Sequence, residues 1–146
     1  MGGPTEDLAG LGFRMPAEWE KHSATWLSWP HESNDWPGKF PAIPFVYCEI
    51  VKNLALNEVV KIVVPDVGSQ EIVANLLSES GVNLSNVVFF PAATNRSWIR
   101  DYGPLYLKDK HGNKCILDLG FNAWAKYDNF NFDDEIPKLV SSNQHI

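Results

Sequence analysis

Cysteine is scarce in this chain, with two residues, Cys48 and Cys115, in 146. They cannot build a disulfide framework or a paired-thiol metal motif. Each lies in an apolar segment, where cysteine behaves as a small hydrophobe. Basic clusters are missing as well. Twelve Lys and Arg are scattered among eighteen Asp and Glu, giving a net charge of −6 and a pI near 5.1. A phosphate-binding surface needs such clusters, so no nucleic-acid partner is expected. No apolar run approaches the ~18 residues of a membrane span, and Met1 to Gly12 lacks the basic-then-apolar layout of a secretory leader. No membrane association and a cytoplasmic setting are therefore expected. What the chain does have is a hydrophobic share of 45%, enough for one domain with a sizeable core.

The densest chemistry lies in Asn95-Arg96-Ser97-Trp98-Ile99-Arg100-Asp101-Tyr102-Gly103-Pro104. It falls between two short β-forming runs, Val87 to Phe90 and Leu105 to Leu107, and so reads as a strand-to-strand connection. A carboxylate and an aromatic face three residues apart suit a guanidinium. The planar cation can donate paired hydrogen bonds to Asp101 and lie against the Trp98 indole. Spacing alone points first to the plainer arrangement, with Arg100 and Asp101 as surface charges and Trp98 as a core residue.

Around it the chain alternates. Residues 1–12 read as a lead-in. Ala24 to Trp29 reads as a strand, followed by a loop from Pro30 to Pro41 carrying His31, Glu32, Asp35 and Trp36, which is either a pocket rim or a solvated turn. Apolar periodicity predicts a helix over 42–57, with Ile43, Val46, Tyr47, Ile50, Val51 and Leu54 inward and Pro44 in its first turn. Residues 59–64 read as a strand. A helix over 70–80 follows, capped by Ser69, with Ile72, Val73, Leu76 and Leu77 buried. Residues 87–90 are the next strand, and 105–108 with 114–119 form a hairpin. After an aromatic loop over 120–132, Asp133 and Asp134 cap a last helix with Pro137 in its first turn and Ile136, Leu139 and Val140 inward. The order predicts an α/β fold. The last helix has barely two turns before the chain stops, which suggests a piece of something longer.

Several segments resemble the agmatine deiminase and Porphyromonas-type peptidylarginine deiminase family, guanidine-modifying enzymes of the pentein superfamily. Phe13 to Glu20, His22, Ala24-Thr25-Trp26, Trp29-Pro30 and Trp36 look like that family's opening. Trp98 to Pro104 is similar to its Trp-x-Arg-Asp-x-Gly-Pro motif, and Phe121-Asn122-Ala123-Trp124 resembles the Asn-x-Trp segment that follows. The resemblance implies a partial α/β propeller, with residues 13–146 as the amino-terminal part, about two ββαβ-type modules of a five-module fold. It implies hydrolysis of a guanidinium to a ureido group and ammonia through a cysteine nucleophile, with no cofactor or metal. Asp101 would be a catalytic, guanidinium-binding acid, Trp98 a substrate wall, and Arg100 a structural residue paired with a carboxylate.

The family's His-x-Asp or His-x-Glu pair is not found, since none of His22, His31, His111 and His145 has an acid two residues on. Cys48 and Cys115 sit in a predicted helix and strand, without an evident activator. These residues alone are expected to be inactive. Residues 102–146 contain no Arg, which favours agmatine over a peptide's terminal arginine, whose carboxylate calls for a partner such as arginine. A peptidylarginine enzyme, a non-catalytic guanidinium-binding module, and an unrelated α/β domain binding a sugar or a protein stand as alternatives. The oligomeric state, including a homo-oligomer, is open.

Overall fold

The computed structural model describes residues 7–146; of the lead-in expected over 1–12, the first six lie outside them. Three strands, β1 (Ala24–Ser28), β2 (Val59–Val64) and β3 (Val87–Pro91), form a parallel sheet in that spatial order. Helices α1 (Ile43–Leu54) and α2 (Val67–Glu79) make the two crossovers. A one-turn helix α3 (Ile99–Tyr102) leads into an antiparallel hairpin, β4 (Leu105–Lys108) and β5 (Lys114–Leu117). A second single turn, α4 (Asn131–Asp134), precedes α5 (Ile136–Gln144). The N-terminal segment joins the hairpin through a bridge in which Arg14 and Lys108 exchange backbone hydrogen bonds of 2.9 and 3.0 Å.

The sheet separates two cores. Val60, Ile62 and Val64 turn to one face with Cys48 and Val51 of α1 and Val73 and Leu77 of α2. Val63 turns to the other with Tyr102, Phe121, Ile136 and Val140. Each fully buried aliphatic side chain contributes about 1.5–3 kcal/mol, so the all-apolar half of β2 fastens the two layers together.

The elements follow the sequence pattern with four corrections. The cap of α2 is Asp66, not Ser69: its Oδ1 accepts from Ser69 N at 2.7 Å, because Asp66 holds the extended backbone a cap requires. Ile72, Val46, Ile50 and Leu139 fit helical periodicity but are exposed, since each helix is covered along a narrower stripe than its apolar face. The predicted strand-to-strand connection joins β3 to β4 as expected but coils into α3. Asp133 and Asp134 do not cap the last helix. They lie in α4, and their carboxylates accept from distant backbone N–H groups, at Asn95 and Phe121 respectively.

Candidate guanidinium-recognition site

The motif is held rigid by its own sequence. Gly103 follows α3 so closely that a Cβ there would stand 2.4 Å from the Ile99 carbonyl oxygen, an approach only glycine permits. Its N–H donates to that same oxygen at 2.8 Å, and Pro104 fixes the next φ. Tyr102 is buried, and its hydroxyl donates to the Arg96 carbonyl at 2.7 Å; burial holds its proton well above the ordinary phenol range. Arg100 and Asp101 are left exposed and Trp98 half-buried.

A guanidinium does lie against Trp98, and it belongs to the chain. Arg96 Cζ is 5.1 Å from the Trp98 ring centre and 4.9 Å from that of Tyr127, within cation–π range. Its Nη1 pairs with the Asp35 carboxylate and its Nη2 donates to Asn129 Oδ1 at 3.0 Å. Both charged side chains are buried, with 9% of Arg96 and 5% of Asp35 exposed. Burial raises the Asp35 pKa, and the Arg96 pairing opposes that rise. Carboxylate plus aromatic face is the arrangement the motif's composition suggests, but here Asp35, from the loop after β1, supplies the acid.

Two further fixings position this cage. Asp133, fully buried, accepts from Asn95 N at 2.7 Å and Arg96 N at 3.2 Å, while Asn95 Oδ1 accepts from Phe132 N at 2.9 Å. Burial pushes the Asp133 carboxyl up to about 6, against the pull of those two backbone N–H groups. His31 links the loop after β1 to the same stretch, with Nδ1 3.1 Å from the Trp29 carbonyl oxygen and Nε2 2.9 Å from that of Thr94.

On the far side, Ala123, Trp124 and Ala125 form a left-handed turn with φ of 49°, 56° and 55°. Non-glycine residues hold that conformation at a cost of about 1–2 kcal/mol each, and such strain tends to gather at functional sites. The turn places the Trp124 ring 5.0 Å from Trp98 and 5.5 Å from Phe121.

Of the residues singled out from sequence, Trp98 thus lies in a cluster with Arg96, Trp124 and Tyr127. Asp101 is exposed on α3 and makes no ion pair among the described residues. Arg100 pairs with a carboxylate as expected, at 2.7 Å to Glu18, but both side chains are largely in solvent, where such a pair is worth little. Cys48 is 1% exposed in the core face of α1, and Cys115 is half-buried in β5. No role for Arg96, Tyr127 or Asn129 was legible in the sequence, and Asp133 was expected only as a helix cap. The one signal for Arg96 was its place two residues before the motif tryptophan.

The architecture is a mixed α/β fold with a parallel sheet, shared with solved agmatine deiminases. The substrate-bound agmatine deiminase of C. jejuni superposes with a TM-score of 0.72 at 28% identity, over 91% of this chain and 37% of that one. The enzyme of Enterococcus faecalis matches in fold with a TM-score of 0.80 at 23% identity, over 94% and 37%. In sequence, the agmatine deiminase of Pseudomonas aeruginosa (strain LESB58) is 28% identical over 145 residues, which is 96% of this chain and 38% of that protein. The chain belongs to the Porphyromonas-type peptidyl-arginine deiminase family, whose sequence model matches residues 14–146. It spans less than two fifths of the length of the relatives it matches.

Proposed function

We propose that this chain supplies the guanidinium-recognition wall of a deiminase acting on agmatine. Asp101 binds the cationic head and Trp98 borders the pocket. The observation that carries the reading is the pairing pattern of the motif's charges. Arg96 is taken by Asp35 and Arg100 by Glu18, while Asp101, three residues after Trp98, is exposed and makes no ion pair among the described residues. In the proposed reaction a cysteine thiolate attacks the guanidinium carbon, ammonia leaves, and water hydrolyses the amidino-enzyme to the ureido product. With agmatine the product is N-carbamoylputrescine, which leads toward polyamines.

Cys48 is sealed in the first core. The reading therefore takes the nucleophile and its histidine from outside these 146 residues, from further modules of a five-module propeller in a cytoplasmic enzyme. The preference for agmatine over a peptide's terminal arginine rests on the absence of Arg from residues 102–146. The lack of an accessible cysteine on α1 favours one second reading, a module that binds guanidinium without turning it over.

Calorimetry with agmatine and an ammonia-release assay on this chain test the pair. Asp101→Asn should remove guanidinium binding, by tenfold or more, while stability changes by less than about 0.5 kcal/mol, as for an exposed site. Agmatine binding that is indifferent to Asp101 would defeat the assignment. Cysteine-dependent ammonia release from the 146 residues would defeat the placement of the nucleophile elsewhere.

A further inference from the structure

Lys61 is the one charged residue in the three parallel strands, where sheets covered on both faces favour continuous apolar runs. Its register partners are Trp26 and Val88. By alternation along β2 it shares the face of Val63, and toward that end of the sheet the face is open. Two cavities lie there, of about 520 and 400 Å³, and Trp26, Lys61 and Gln144 line both.

The smaller cavity is bounded by the N-terminal segment, β1, β2 and the hairpin. Lys21, Lys61, Lys108 and Lys114 line it, four of the chain's twelve Lys and Arg in a protein of net charge −6. Its two acids are already engaged. Glu20 binds Arg14 and Lys108, which hold its carboxyl well below the usual range, and Glu18 binds Arg100. Lys61 and Lys114 have no carboxylate partner among the described residues. The Lys61 ammonium rests 5.0 Å from the Trp26 ring centre, and burial together with the like charge of Lys114 lowers its pKa. Two cations facing one cavity, neither of them paired with a carboxylate among the described residues, repel each other, and an anion between them reverses the sign of that interaction. The remaining lining joins the apolar and aromatic side chains of Met15, Trp26, Tyr106 and Leu107 to the polar ones of His22, Ser23 and Gln144, which suits a ligand with more than a bare oxyanion.

We propose that this cavity binds a small organic carboxylate with an apolar body, its oxygens between Lys61 and Lys114 and its body along Trp26 and Tyr106. The site is separate from the Trp98–Asp101 wall and does not depend on the function proposed above. Benzoate is the probe, titrated by calorimetry and by thermal melting, with benzylamine and inorganic phosphate as comparisons. Benzoate should bind at one saturable site. Lys61→Met, which keeps the stem on Trp26, and Lys114→Met, on an exposed strand position, should each weaken it tenfold or more. Lys110→Met, outside the cavity lining, and Asp101→Asn should leave it unchanged. The proposal is overturned if benzoate does not bind, if benzylamine binds as well, if phosphate binds as tightly as benzoate, or if affinity survives both cavity substitutions.

Discussion

Replacing Arg96 with methionine should cost the fold about 3–5 kcal/mol, the range for stranding one member of a buried ion pair. The magnitude comes from what Arg96 leaves behind. Asp35 has 5% of its side chain exposed, its Oδ2 has no hydrogen-bond partner among the described residues, and its carboxyl is already raised by burial with Arg96 in place. Without the guanidinium it must stay charged in a dry site or take up a proton. Asn129 loses a charge-assisted hydrogen bond, and Trp98 and Tyr127 lose a cation worth roughly 0.5–2 kcal/mol. These effects share one residue and do not add. The double variant Arg96→Met with Asp35→Leu separates them, because two apolar side chains of similar volume remove the desolvation cost along with the attraction. It should recover most of the loss and fall within about 2 kcal/mol of the parent. Urea unfolding followed by tryptophan fluorescence reads all three proteins. A single variant within about 1 kcal/mol of the parent, or a double variant no better than the single, would refute the argument that the pair is buried and mutually dependent.

Asp133 gives a pH signature. Its carboxyl ionises near 6 in the folded chain against about 3.9 unfolded, so it weighs about 3 kcal/mol against the fold once fully ionised. Because the folded pKa is the higher one, its favourable contribution is complete below about 3.9 and is lost as pH rises through 6. Asp133→Asn should flatten that part of the stability–pH profile, and an unchanged slope between pH 4 and 6 would count against it. Gly103→Ala drives a Cβ to 2.4 Å from the Ile99 carbonyl oxygen and should destabilise by about 1–3 kcal/mol, read by thermal melting, with Asp101-dependent agmatine binding falling alongside. Ala125→Gly should be neutral or stabilising by up to about 1 kcal/mol, since Ala125 is exposed at φ 55°; a clear destabilisation would mean the left-handed turn is not strained.

The strands and crossover helices could be read from periodicity because each carries its own pattern, such as the β-branched residues on either side of Lys61 in β2 and the spaced Val51 and Leu54 of α1. What could not be read was which apolar residues find a cover. Ile72 and Leu139 keep the period and still face water, because burial depends on the neighbouring layer and not on the helix alone. The site divides in the same way. Trp98 and Asp101 were visible because they sit three residues apart in one motif. The partners of Arg96 lie 61 residues upstream at Asp35 and 33 downstream at Asn129, and no local spacing encodes such contacts. Asp35 had been noticed among the polar residues of its loop, but nothing in the loop marked it as buried. Asp133 was misread because an aspartate before a helix ordinarily caps it, whereas here the carboxylate serves a loop 37 and 38 residues away.

The internal ion pair also bears on how a cationic ligand would meet Trp98. On the side where Arg96 lies 5.1 Å from the ring centre, a second guanidinium would find the aromatic contact occupied and a like charge beside it. Asp35 neutralises Arg96 at close range, so from outside the cage that pair presents little net field. Asp133 is half-protonated near pH 6 and buried behind the backbone of residues 95 and 96. Arg100 and Glu18 likewise cancel one another. Among the described residues, the charge on this stretch that is both exposed and unpaired is that of Asp101. On the proposed reading, the buried pair does not recognise substrate. It holds the Trp98 indole still and removes its own charges from the field, so that one exposed carboxylate sets where a guanidinium docks.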